Sequence, residues 1–293
     1  MVLAVLVGVG VAVGLLVWWV LGRWPVVDPA RPGGAPEAVA RELVGAEPAR
    51  SFLRARVDPK VATGLALTLA SGVVLLGGAL LALLAFAVRS SHAVVRVDRG
   101  VATWADTHAA AFTTRALEVV TFSGSSVGVI LIAVVVFAFV RVRRHAPWAV
   151  AGFLATVLVG QNLIANLVKV VVDRARPDIH PLAGFSGPSF PSGHTAAAFA
   201  CFGACAIVLG RGRSRSVQRA WLAAAMGLAA CVGVSRVMLG VHWLTDVVGG
   251  AALGLAWLAL VTVAFGGRLM RFGAPVEAAE RVTELASADR TEP

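Results

Sequence analysis

Seven stretches of the chain stay apolar for roughly the ~20 residues a helix needs to cross ~30 Å of hydrocarbon. They span 2–22, 61–88, 119–140, 148–172, 194–210, 219–239 and 245–266, with the polar residues gathered between them. The apolar positions are continuous and do not alternate at a period of two, so the pattern predicts helices and argues against a membrane barrel. The run 194–210 is the shortest and the weakest of the set. The expected fold class is all-α, a polytopic membrane helical bundle. No positive residue precedes the first run and no clear small-x-small cleavage site follows it, so it is expected to be a retained helix and not a signal peptide.

Between the runs, residues 23–60 begin with Pro25, Pro29, Pro32, Gly33, Gly34 and Pro36, which predict a loop. A short amphipathic surface helix is expected from Glu37 to Glu47, ended by Pro48. Residues 90–118 carry Asp98, Trp104, Asp106 and His108 among Ala and Val, which predicts short helices at the membrane interface, either a plain connector or a lid beside a site. The tail from Gly273 to Pro293 is acidic, alanine-rich and expected to be disordered.

Composition supports a bilayer environment, with mean hydropathy +0.82, 58% hydrophobic residues and 14% charged. The net charge of +10 adds an orientation. Arg23, Arg31, Arg41, Arg50, Arg54, Arg56 and Lys60 follow the first run; Arg141, Arg143 and Arg144 follow the third; Arg211, Arg213, Arg215 and Arg219 follow the fifth; Arg268 and Arg271 follow the last. Short cationic loops stay in the cytoplasm, so the N-terminus and the connections after 172 and 239 fall on the other side. Topology thus explains the positive charge without a nucleic-acid partner, and the arginine clusters suit anionic lipid headgroups. Trp18, Trp19, Trp24, Trp148 and Trp221 then lie near the inner interface, and Trp104 and Trp243 near the outer one, as anchoring aromatics. Cys201, Cys205 and Cys231 read as small apolar fillers, with no zinc spacing and no disulfide framework. The Ala, Val and Arg bias without Tyr suggests a bacterial plasma membrane.

Three polar runs stand at the outer ends of the predicted spans, where ionisable groups are costly and so mark candidate sites. Of the 26 basic residues only Lys60 and Lys169 are lysine, and Lys169 ends the fourth run, followed by Arg176-Pro177. A planar guanidinium fork and a compact ammonium both suit phosphate oxygens. Asp173 and Arg174, between them, are expected to pair with each other as structural support. Pro191-Ser192-Gly193-His194 precedes the fifth run, so Ser192 is a natural N-cap, Gly193 admits a ligand to the backbone, and the helix start attracts an anion. His194 is placed to act as a general acid. Ser235-Arg236 closes the sixth run, and His242 and Asp246 follow it four apart, on one helical face. A carboxylate beside a histidine fixes its tautomer and steadies the cation, which suits His242 for attack on phosphorus.

Taken together, Lys169-x6-Arg176-Pro177, Pro191-Ser192-Gly193-His194 and Ser235-Arg236-x5-His242-x3-Asp246 resemble, in order and spacing, the three signatures of the type 2 phosphatidic acid phosphatase superfamily. The likeness covers about residues 60–266. It implies a six-helix membrane phosphatase domain over 61–266, leaving 1–22 as an additional N-terminal transmembrane helix, 23–60 as a cytoplasmic basic linker and 267–293 as a cytoplasmic tail. It further implies hydrolysis of a lipid phosphate or diphosphate through a phosphohistidine, with neither cofactor nor metal. On that resemblance His242 is the nucleophile, Asp246 its partner and His194 the acid; Lys169, Arg176, Ser192, Gly193 and Arg236 bind the phosphoryl oxygens. The same motifs leave open a lipid-linked phosphotransferase and, from a different class, a transporter or non-catalytic scaffold. They do not name the lipid or the oligomeric state.

Overall fold

The structure is a computed structural model that describes residues 1–23, 62–108, 111–144, 148–179 and 181–269. The predicted surface helix Glu37–Glu47, the rest of the 24–61 linker and the tail from residue 270 lie outside the described residues. Among the described residues there are nine helices and no strand: α1 Val2–Arg23, α2 Ala62–Ser90, α3 His92–Thr107, α4 Ala111–Phe122, α5 Ser126–Arg144, α6 Ala149–Val172, α7 Gly193–Gly210, α8 Arg215–Met238 and α9 Leu244–Leu269. Seven of them, all but α3 and α4, are long and apolar enough to cross a membrane. The chain is a multi-pass helical membrane protein.

α7, the weakest of the predicted spans, is the axis of the bundle. Almost every side chain along it is buried, packed among α5, α6, α8 and α9. Its composition explains both facts. Alanine, glycine and cysteine dominate it, which lowers its hydropathy yet lets four neighbours approach closely, the usual solution where lipid offers no hydrophobic push. Leucine-rich α2, by contrast, turns Leu75, Leu76, Leu83 and Phe86 outward.

Two predicted boundaries move. The run 119–140 is two elements, because residues up to Phe122 complete α4, then Ser123-Gly124-Ser125 turns and α5 starts at Ser126. Ser125 caps it, its Oγ accepting the Gly128 N–H at 3.0 Å. Gly124 is needed in that turn: a Cβ there would come within 3.0 Å of the His194 carbonyl oxygen. α8 begins at Arg215 and not near 219, so Arg219 is a helical residue and not a loop residue.

α1 runs antiparallel to α8 in intimate contact. The Arg219 guanidinium donates to the Trp18 carbonyl at 2.6 Å and lies over the Trp18 ring, while the Cys231 thiol, three turns on, meets the Leu6 carbonyl at 3.4 Å. Gly227 sits where any side chain would collide with the Gly10 backbone. Val2 and Leu6 are buried with Val237, Leu239 and Val241, so the start of α1 braces the segment leading into His242.

Candidate active site

The C-terminal ends of α6 and α8 and the N-terminal ends of α7 and α9 meet at one end of the bundle, and every predicted site residue is there. Lys169 lies in the last turn of α6, half-buried. Arg176 follows in the loop, Ser192 caps α7, and Gly193 and His194 open it. Arg236 occupies the last turn of α8, His242 the α8–α9 connection, and Asp246 the first turn of α9. His194 feels the charges of Lys169, Arg176, Arg236 and the His242 ring together, and Lys169 those of Arg176, Arg236 and Asp246. The three motifs therefore form one electrostatic cluster.

His242 is 2% exposed. Its Nδ1 lies 3.4 Å from Asp246 Oδ2, and its Nε2 lies 3.4 Å from an Arg176 terminal nitrogen. Arginine can only donate, so Nε2 carries the lone pair and Nδ1 the proton that faces the carboxylate. Burial, partly opposed by the hydrogen bond and charge of Asp246, pushes the His242 pKa down to about 4. The ring is therefore neutral at pH 7 with its free nitrogen turned toward the cations.

Asp246 is completely buried and heavily coordinated. Oδ2 accepts from the Ser189 hydroxyl and from the Trp243 N–H at 2.8 Å, besides facing His242; Oδ1 accepts from Arg174 at 2.6 Å. The Trp243 contact makes Asp246 the third helical residue reaching back to cap its own helix, the reciprocal half of a capping box. Local chain geometry thus fixes the carboxylate before any ligand arrives.

The remaining predicted residues divide by how free their donors are. Arg176 gives Nε to the Gly187 carbonyl at 2.9 Å, one terminal nitrogen to Val241 at 2.7 Å, and the other to Ser186 and Pro188 at 2.9 and 3.3 Å. Four of its five N–H groups hold backbone, leaving one toward His242. It is therefore first a clamp between the 186–188 loop and the His242 segment, and can offer phosphate a single donor where the sequence suggested a fork. Arg236 is the reverse case: 4% exposed, it donates to Thr121 Oγ1 at 3.2 Å and its Nε has no partner. Ser192 is wholly buried, its Oγ accepting from the Thr195 hydroxyl at 2.9 Å and N–H at 3.5 Å, so only its own hydroxyl hydrogen remains. At Gly193 an added Cβ would meet open space, as a helix start facing a ligand requires.

Two expectations fail. Arg174 does not pair with Asp173: Asp173 is the left-handed C-cap of α6 (φ 45°), its N–H returning to the Lys169 carbonyl, and this turn sends Arg174 inward to Asp246 and Asp98. Trp243 is not a lipid anchor, because its ring is buried beside Arg174 and its Nε1 donates to the Ala175 carbonyl at 2.9 Å. The 90–118 region forms short helices as expected, and α3 is anchored beside the site through buried Asp98. Ser189, Thr121 and Asp98 carry no motif spacing; the available signal was a lone acid in the Val- and Ala-rich stretch around residue 98. Among the described residues no three His, Cys, Asp or Glu side chains gather as a metal set.

Residues 150–269, which contain all three motifs, match the family model described as PAP2 superfamily. Over that segment the chain is similar to the PAP2 superfamily. Among its relatives, a lipid A 1-phosphatase from Rhizobium johnstonii is 38% identical over 128 residues, covering 40% of this chain and 48% of that protein. A phosphatidylglycerophosphatase B from Bacillus subtilis is 38% identical over 125 residues, 41% of this chain and 61% of that protein. A decaprenylphosphoryl-5-phosphoribose phosphatase from Mycobacterium tuberculosis is 36% identical over 131 residues, 43% and 66% respectively. The chain spans about half the length of the two Rhizobium lipid A 1-phosphatases it matches. In structure, it resembles a transmembrane PAP2-type phosphatidylglycerolphosphate phosphatase from Bacillus subtilis, with TM-score 0.62 and 27% identity, covering 67% of this chain and 96% of that one.

Proposed function

We propose that the protein is a membrane phosphatase that removes a terminal phosphate from a lipid phosphate or diphosphate at the extracytoplasmic face. The observation that carries this reading is His242, neutral and buried, with Nδ1 on Asp246 and Nε2 turned toward the cluster of Arg176, Arg236, Lys169 and His194. Relatives named as phosphatases of lipid A, phosphatidylglycerophosphate and a polyprenyl-linked sugar phosphate support the substrate class. Cationic loops at the opposite end of the bundle support the outward orientation.

In this mechanism the guanidinium of Arg236, the ammonium of Lys169, the last donor of Arg176 and the amide end of α7 gather the phosphoryl oxygens. The Nε2 lone pair forms the N–P bond as the P–O bond to the lipid breaks, and the departing oxygen takes a proton from His194. Asp246 balances the positive charge that grows on the His242 ring. Water then attacks phosphorus and gives its proton to His194, and the N–P electron pair returns to Nε2. Residues 61–266 would be the catalytic domain, with α1 as an added brace.

Purified protein and its His242→Ala variant, assayed for phosphate release against phosphatidic acid, phosphatidylglycerol phosphate, a polyprenyl diphosphate and a polyprenyl-linked sugar phosphate, test the reading. Turnover of at least one lipid is expected, falling to background in the variant. Label passing from a lipid diphosphate to a second lipid instead of water would mark a phosphotransferase. Equal turnover by both proteins would rule out the assignment.

A further inference from the structure

Behind Asp246 lies a buried chain of charges that ends on α3, outside both the three motifs and the matched 150–269 segment. Asp98 is 1% exposed. Its Oδ1 accepts the Thr245 N–H at 3.0 Å, and its Oδ2 accepts the Thr245 hydroxyl at 2.6 Å and Arg174 at 2.7 Å. The other terminal nitrogen of Arg174 donates to Asp246 Oδ1 at 2.6 Å and to Thr245 Oγ1 at 2.7 Å. One guanidinium thus bridges two buried carboxylates, one of which orients the nucleophilic histidine, and the Thr245 hydroxyl closes the ring by accepting from one partner and donating to the other.

Charge counting gives this arrangement a purpose. Asp246 and Arg174 alone would cancel, leaving His242 backed by no net charge when its ring becomes cationic. With Asp98 the trio carries one net negative charge. In a buried site such a charge is screened little, and the cost of leaving it unpaired is high.

The geometry points to Asp98 as a positioning residue of the reaction centre, which acts through Arg174 to fix the Asp246 carboxylate and to supply the net negative charge that backs His242. This rests on the phosphatase reading above and extends it to a helix outside the matched segment. It also gives α3 a role in the chemistry without touching substrate.

The test is the pH dependence of lipid phosphate hydrolysis for Asp98→Asn and Arg174→Gln. Asp98→Asn leaves the shape and removes the negative charge. Its kcat is expected to fall about 10- to 100-fold with KM nearly unchanged, and the acidic limb of kcat/KM to move to lower pH. Arg174→Gln removes the positive charge, so its limb moves to higher pH. His242 is also faced by Asp246 from α9, Arg236 from α8, Arg176 from the loop after α6 and His194 from α7, with Lys169 of α6 acting on His194; none of these is substituted in either variant. Opposite shifts are therefore the signature of charge backing, and a merely structural contact would not produce them. Should Asp98→Asn fail to fold, Thr245→Val keeps every charge and breaks the ring, and it must lower kcat without moving the limb. Unchanged kcat, or shifts of one sign in both variants, overturns the proposal. His242→Ala run alongside separates the two levels: if it turns over substrate like the wild type, the phosphatase reading fails whatever Asp98 does.

Discussion

The two ends of the bundle hold their charged side chains under opposite conditions. At one end Arg211, Arg213 and Arg215 are exposed in and just after the α7–α8 turn. At the other, Asp98, Arg236, His242 and Asp246 are almost wholly removed from solvent, with His242 facing Asp246 and Arg174 bridging Asp246 to Asp98. Exposed cations at a membrane surface orient a chain and attract anionic headgroups at little cost. Buried ones are destabilising unless each is matched, so their survival in one place marks where function outweighs stability. Chemistry lives where charge is buried, and topology where it is exposed.

The contrast can be broken most forcefully at His194. His194→Ala is expected to lower turnover about 10²- to 10⁴-fold while KM barely changes, since the imidazole acts on the leaving oxygen; a loss confined to KM would demote it to a binding group. Next in size is a pH effect on stability. The unfolded chain takes up a proton on His242 near its ordinary 6.5, whereas the folded pKa is about 4. Stability supplied by the neutral buried ring is thus complete above pH 6.5 and is lost as pH falls toward 4, by about 3 kcal/mol at most. His242→Gln should flatten that slope in thermal unfolding measured in detergent, and an unaltered slope would place the linkage elsewhere. Gly227→Leu should then cost about 1–3 kcal/mol by forcing α1 off α8, read as a lower unfolding temperature; no change would mean the α1–α8 contact is looser than described. Smallest is Arg213→Ala at the far end, expected within about 0.5 kcal/mol of the wild type and with full turnover.

The same contrast explains what the sequence revealed. Spans were legible because hydrocarbon length and apolar run length are the same constraint, and the predicted limits of α6 and α7 fall within a residue of the observed ones. The motif residues were legible because their spacing places them at helix ends on one side. Less visible was everything that depends on a turn. The left-handed cap at Asp173 redirects Arg174, and no hydrophobic pattern encodes that direction. Arg176 looked like a phosphate fork because its carbonyl partners at 186–188 belong to an irregular loop. Asp98 was hidden by distance along the chain, since its partners Arg174 and Thr245 stand 76 and 147 residues away. α7 was underrated because hydropathy measures affinity for lipid, and this helix faces protein.

The central claim is that the free nitrogen of His242 bonds to phosphorus during turnover. It is met most directly by quenching the purified enzyme in alkali during hydrolysis of a ³²P-labelled lipid phosphate and locating the label by peptide mapping. The account predicts an acid-labile, alkali-stable phosphoryl group on the peptide carrying His242, absent from His242→Ala. Label on any other residue would contradict it.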